Sequence, residues 1–126
     1  MKKIVNISTA PKPLAPYSQA VLANGTLYIS GQIAINPFDG KLVDGNPAVQ
    51  TQQIMTNIGN ILKEVGMDFS NIVKCSIFMT DMKYYGEINE IYGEYFKMDP
   101  PAREAVHVSG LPLNVDVEIS CIAVEK

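Results

Sequence analysis

The chain has no tryptophan, one histidine and two cysteines, and each shortage removes a class of chemistry. Structural and catalytic zinc sites draw on several His and Cys ligands at short spacing, and His107 has no such neighbour, so no metal is expected. An exposed or pocket-lining role suits it better. Cys75 and Cys121 lie far apart in apolar runs without a C-x-x-C pair, which reads as two buried free thiols. Positive charge is also scarce: 10 Lys and Arg face 13 Asp and Glu, a net charge of −3. Nucleic-acid binders carry a basic stripe that this chain lacks, which weighs against an RNA or DNA partner. No apolar run approaches the ~18 residues of a spanning helix. Lys2 and Lys3 lead only into Ile4 and Val5 before Asn6 interrupts, so no signal peptide is visible. The expectation is a soluble, cytoplasmic protein with no membrane partner.

What is present suits one domain over residues 1–126, with 47% hydrophobic residues to build a core. Pro11, Pro13 and Pro16 predict an extended arm that delivers Tyr17 and Ser18 to the body. Residues 19–23 and 26–35 read as two strands joined by Asn24-Gly25, a dipeptide suited to a tight hairpin turn. Gly31 interrupts the second strand and marks a bulge or a close approach to the backbone. Asn46-Pro47 starts a helix, Gly66 stops it, and Ile54, Met55, Ile58, Ile61, Leu62 and Val65 recur at helical spacing between them.

Residues 71–80 alternate as a half-buried strand, with Val73, Cys75, Ile77 and Met79 on one face. Asp81 can cap a second helix whose stripe of Tyr84, Tyr85, Ile88, Ile91, Tyr92, Tyr95 and Phe96 reads as core and ends before Pro100 and Pro101. Two strands close the chain, about 103–109 and 115–125. The order predicts an α+β sandwich with two helices on one face of a sheet.

Polar residues on the last two strands are the candidates for chemistry. Arg103, Ala105, His107 and Ser109 share one face of their strand, and Asp116, Glu118 and Ser120 share the polar face of the next. Were the two strands paired, Arg103 and Glu118 could meet on the sheet face away from the helices. An ordinary solvated Arg and Glu pair fits the same pattern. No GxSxG elbow or phosphate-cradling glycine loop occurs, and Ser30 has no recognisable base partner. Pattern alone leaves function open.

Several short pieces, in order and correctly spaced, go further: Ala15-Pro16-Tyr17-Ser18-Gln19, Ser30-Gly31-Gln32, the Val73 to Asp81 strand, Asn89 with Tyr92, Pro101-Ala102-Arg103, Leu111-Pro112, and Val117-Glu118-Ile119 leading to Ile122-Ala123-Val124. On these the chain resembles the RidA, or YjgF, family of reactive-intermediate deaminases over essentially its whole length. The resemblance implies a chorismate mutase-like α+β fold and a homotrimer with a central barrel and active sites between subunits. It implies hydrolysis of 2-aminoacrylate-type enamines and 2-imino acids to 2-keto acids and ammonia, with no metal or organic cofactor.

By the same resemblance Arg103 binds the substrate carboxylate, Glu118 positions or activates water, and Tyr17, Ser30, Gly31 and Asn89 line the pocket, Asn89 coming from the neighbouring subunit. The chemistry suits those side chains. A guanidinium offers a carboxylate two parallel donors, and a carboxylate one hydrogen bond from water can serve as general base. Many relatives have Ser then Cys after the motif arginine, whereas this chain has Glu104 and Ala105. A cysteine nucleophile there is excluded, a water mechanism survives, and a Glu104 that reached the guanidinium would compete with substrate. Two other readings remain: an RNA-acting translation inhibitor or endoribonuclease, as relatives have been labelled, and a keto-acid-binding regulatory module without turnover.

Overall fold

The computed structural model describes residues 1–126. Its main elements are β1 (Lys2–Val5), β2 (Ala20–Ala23), β3 (Thr26–Gln32), α1 (Pro47–Glu64), β4 (Ile72–Met79), α2 (Tyr85–Gly93), β5 (Ala102–His107) and β6 (Val117–Val124). The strands form one six-stranded sheet in the order β1-β2-β3-β6-β4-β5. Every pairing is antiparallel except β4 with β5, which is parallel. A parallel pair needs a crossover, and α2 supplies it. Both helices pack on one sheet face, as expected.

Local chemistry explains the best-defined pieces. Asn24 and Gly25 have φ of 51° and 75°, the pair of left-handed residues that a two-residue hairpin between twisted strands requires. The Asn46 side chain accepts from the Val49 amide at 3.0 Å, and Pro47 occupies the first turn, where no donor is needed. Ile54, Met55, Ile58, Ile61 and Leu62 of α1 are fully buried in one cluster with Leu27, Ile77, Met79, Val117 and Ile119 from the sheet. Each such side chain contributes roughly 1.5–3 kcal/mol on burial, so this face fixes where α1 sits. The opposite sheet face is less covered: Tyr28 is 51% exposed and Val106 39%.

One strand is added and three expectations are corrected. The edge strand β1 has only four residues, two of them lysines, and carries little periodic signal; lysines are common guards of a sheet edge. Val73 is the extra residue of a bulge, since Ile72 pairs with Ala123 and Lys74 with Ile122. Val73 is therefore exposed and Ile72 is buried in its place. The second helix ends at Gly93, and Tyr95 and Phe96 reach the Phe69 ring from the turn beyond it, at 4.9 and 5.9 Å between ring centroids.

The third correction bears on function. Strands β5 and β6 do not pair, because β4 lies between them. Arg103 is opposite Cys75, and Glu118 is opposite Phe78. Cys75 and Phe78 are three residues apart on β4 and point to opposite sides. Arg103 and Glu118 thus occupy opposite faces of the sheet, Arg103 on the helix side.

Candidate functional site

A cavity of about 350 Å³ opens where the proline arm crosses the sheet. Its size is within the range of small-molecule sites. Leu14, Ala15, Ile33 and Pro112 form its apolar wall, and Tyr17, Ser30, Gly31 and Glu118 line the rest. Four of the six residues singled out from the sequence are therefore together in one cavity.

Buried Gln19 holds the arm that builds this wall. Its side-chain amide donates to the carbonyls of Ile7, Ala10 and Pro11 at 3.0, 3.2 and 2.9 Å, and its oxygen accepts from the Ile7 amide at 2.7 Å. An extended, proline-rich segment cannot satisfy its own backbone, and one primary amide does so instead. In the sequence Gln19 is marked only as a glutamine opening an apolar strand after a proline run. Tyr17 follows, its hydroxyl accepting from the Leu14 amide at 3.3 Å. The Ser30 hydroxyl donates to the Ser18 carbonyl at 2.6 Å, which commits it to anchoring the arm.

Gly31 has the two meanings anticipated for it. Ile29 pairs with Cys121 and Gln32 with Ile119, so Ser30 and Gly31 together face Ser120 in a bulge. A Cβ on Gly31 would stand 2.6 Å from both Cδ and Oε2 of Glu118. The bare backbone is the seat of that carboxylate. Glu118 is half-buried, and burial pushes its carboxyl above the ordinary range.

The remaining two residues form a second group on the other side of the sheet. Arg103 donates through Nη1 to Asn89 Oδ1 at 2.6 Å and through Nη2 to the Tyr85 hydroxyl at 2.9 Å. Its guanidinium carbon lies 5.6 Å from the Tyr85 ring centre and 5.1 Å from that of Tyr92. Residues 85, 89 and 92 lie on one face of α2, so a single helical stripe holds the cation. Asn89 and Arg103 thus meet within one chain. The aromatic stripe is core only in part: Ile88 and Tyr92 are buried, while Tyr85 is 38% exposed. Burial pushes the Tyr92 phenol upward, and its hydroxyl has no hydrogen-bond partner.

Glu104 does not compete for the arginine. It pairs with Lys74 at 2.9 Å and accepts from the Ser76 hydroxyl, a contact that, with Lys74, holds its carboxyl below the usual range. Ala105 faces the same way as Arg103, as the alternation predicts. Exposed His107 ends β5. Cys75 and Cys121, distant in sequence, are directly opposed on β4 and β6 with their sulfurs 3.3 Å apart, both free and buried.

The chemistry is divided accordingly. One group offers a cavity with a carboxylate of raised basicity and no cation. The other offers an oriented guanidinium without a cavity.

Known proteins resemble the chain throughout. The profile of the family described as Endoribonuclease L-PSP matches residues 7–125. A Bos taurus protein named 2-iminobutanoate/2-iminopropanoate deaminase is 44% identical over 125 residues, covering 99% of this chain and 91% of the relative. A RutC family protein of Aquifex aeolicus is 53% identical over 118 residues, covering 92% and 94%. The crystal structure of yeast Mmf1 superposes with a TM-score of 0.95 at 44% identity, covering both chains fully.

Proposed function

The chain belongs to the endoribonuclease L-PSP family, which is the RidA/YjgF family, and from that premise we propose that it hydrolyses 2-imino acids and their enamine tautomers to 2-keto acids and ammonia. The reading is supported by the deaminase names of relatives 42–44% identical over nearly the full chain. The observation that carries it is a half-buried carboxylate in a small cavity on one sheet face, together with a guanidinium pinned at both terminal nitrogens on the other.

In this reading Arg103 grips the substrate carboxylate through two parallel donors. Glu118 takes a proton from water as the water oxygen bonds to the imine carbon. It then returns that proton to the nitrogen, which has taken the C=N π pair, giving a carbinolamine. In the second half it takes the hydroxyl proton as the C=O bond forms and passes it to the amino nitrogen, so that ammonia leaves as the C–N bond breaks. Burial suits Glu118 to this task, because a carboxyl pushed upward is a stronger base once ionised. The apolar wall of Leu14, Ile33 and Pro112 faces the substrate side chain, and Tyr17, Ser30 and Gly31 close the cavity. No step requires a metal or an organic cofactor.

Because the two groups lie on opposite sheet faces, one chain alone does not complete a site. We assign the active site to the cleft between two copies, one supplying Tyr17, Ser30, Gly31 and Glu118, the other Asn89 and Arg103. The half-apolar outer face with Tyr28, Phe78 and Val106 supports a homotrimer closed around it.

The test measures loss of 2-aminoacrylate, generated in situ by a dehydratase, with wild type, Arg103→Ala and Glu118→Ala. Both variants should be folded and inactive. Unfolded together and reassembled at equal ratio, they should regain about a quarter of wild-type activity, since half of the arginine sides and half of the glutamate sides are intact. No acceleration by folded wild type would overturn the deaminase reading and favour the keto-acid-binding module. No recovery on mixing would overturn the shared site.

A further inference from the structure

We propose that Tyr85 belongs to the carboxylate clamp: its hydroxyl, oriented by Arg103, donates to the same substrate carboxylate. The proposal rests on the reading of Arg103 as the carboxylate anchor. Tyr85 opens α2 and is 38% exposed, although it lies on the stripe whose next members, Ile88 and Tyr92, are buried. Its position is explained by the arginine. The hydroxyl accepts from Nη2 at 2.9 Å while Asn89 takes Nη1 at 2.6 Å, so the guanidinium is pinned at both terminal nitrogens.

A phenol oxygen that accepts from a cation keeps its own proton to give, and no acceptor in the chain takes it. A guanidinium has five N–H groups, of which Asn89 and Tyr85 take two. Three are left, enough for two parallel bonds to a carboxylate. The Tyr85 proton then meets the carboxylate oxygen nearest Nη2, adding a third donor. A neutral primary amide in the same place would replace an acceptor with donors and lose this complementarity. Tyr85 is thus a binding residue that reads the charged end of the ligand.

The experiment uses the intact native assembly of wild type and Tyr85→Phe, which keeps the ring over Arg103 and removes only the hydroxyl. Steady-state kinetics on the imine are combined with calorimetric binding of 2-oxobutanoate and of its primary amide. KM and the Kd of the keto acid should rise about fivefold to tenfold, with kcat within about twofold and the affinity for the amide unchanged. Wild-type KM and Kd in Tyr85→Phe, or equal losses for acid and amide, would overturn the assignment. Failure of the broader reading looks different: wild type would then bind the keto acid through Arg103 without accelerating imine loss, and the Tyr85 effect on that binding would still be read.

Discussion

Gly31→Ala separates the position of the proposed base from the integrity of the fold. The new Cβ would lie 2.6 Å from Cδ and Oε2 of Glu118 and 3.1 Å from Cγ, whereas ordinary contact begins at 3.4 Å. A shift of 3.4 − 2.6 = 0.8 Å is therefore required. Gly31 does not have a left-handed φ, so alanine fits the backbone itself. Strand β3 is paired on both sides, and the movement falls to the flexible end of Glu118. Swinging outward also returns a desolvated carboxylate to water, which offsets part of the cost. Stability should fall by less than about 1 kcal/mol, or about 4 °C in Tm for a domain of this size. Misplacing a reacting group by about 1 Å costs about 100-fold in rate, equivalent to about 2.7 kcal/mol. The assay is kcat/KM for imine hydrolysis on folded, assembled protein, with Tm alongside. Activity within threefold of wild type would refute the reasoning, as would loss of the fold.

Glu118→Gln should be inactive yet more stable than wild type near pH 7. With the native carboxyl raised above its ordinary value of 4.5, the folded state holds the proton more tightly, so wild-type stability falls as pH rises from about there through the native pKa and stays lower beyond it. Denaturant titrations across that range should show the decline in wild type and its absence in the variant. Activity should move oppositely, with kcat/KM rising through the native pKa as the base ionises. Gln19→Ala removes four hydrogen bonds from the arm and should cost about 2–4 kcal/mol in chemical denaturation, raising KM in the folded fraction as Leu14 and Tyr17 loosen.

The sequence made α1, the Asn24-Gly25 hairpin and the Gly31 bulge legible because each is written in local spacing. Tyr17, Ser30 and Gly31 were grouped in a pocket only through the family resemblance of their short motifs, because spacing says nothing of which loops and strands meet. Arg103 and Glu118 were assigned to one face because alternation says which residues on a strand agree, but not which strand lies beside it. Insertion of β4 between β5 and β6 is a tertiary fact, and it reversed that relation. Tyr85 was hidden differently: an aromatic residue at core spacing gives no sign that its hydroxyl reaches a cation on a strand 18 positions away. Gln19 was missed because its four partners are all backbone groups, which leave no pattern of residue types.

The parallel pairing of β4 with β5 also bears on the order of folding. Everything that holds Arg103 comes from the continuous segment β4-α2-β5, so that half can form from contacts short in sequence. The cavity instead brings Leu14 and Tyr17 against Glu118, roughly a hundred residues along the chain, and such closures are late and slow. In pulse-labelling hydrogen exchange during refolding, amides of α2 and β5 should gain protection before those of β3 near Gly31. The chain would then pass through a stage in which its cation is already set and its pocket does not yet exist.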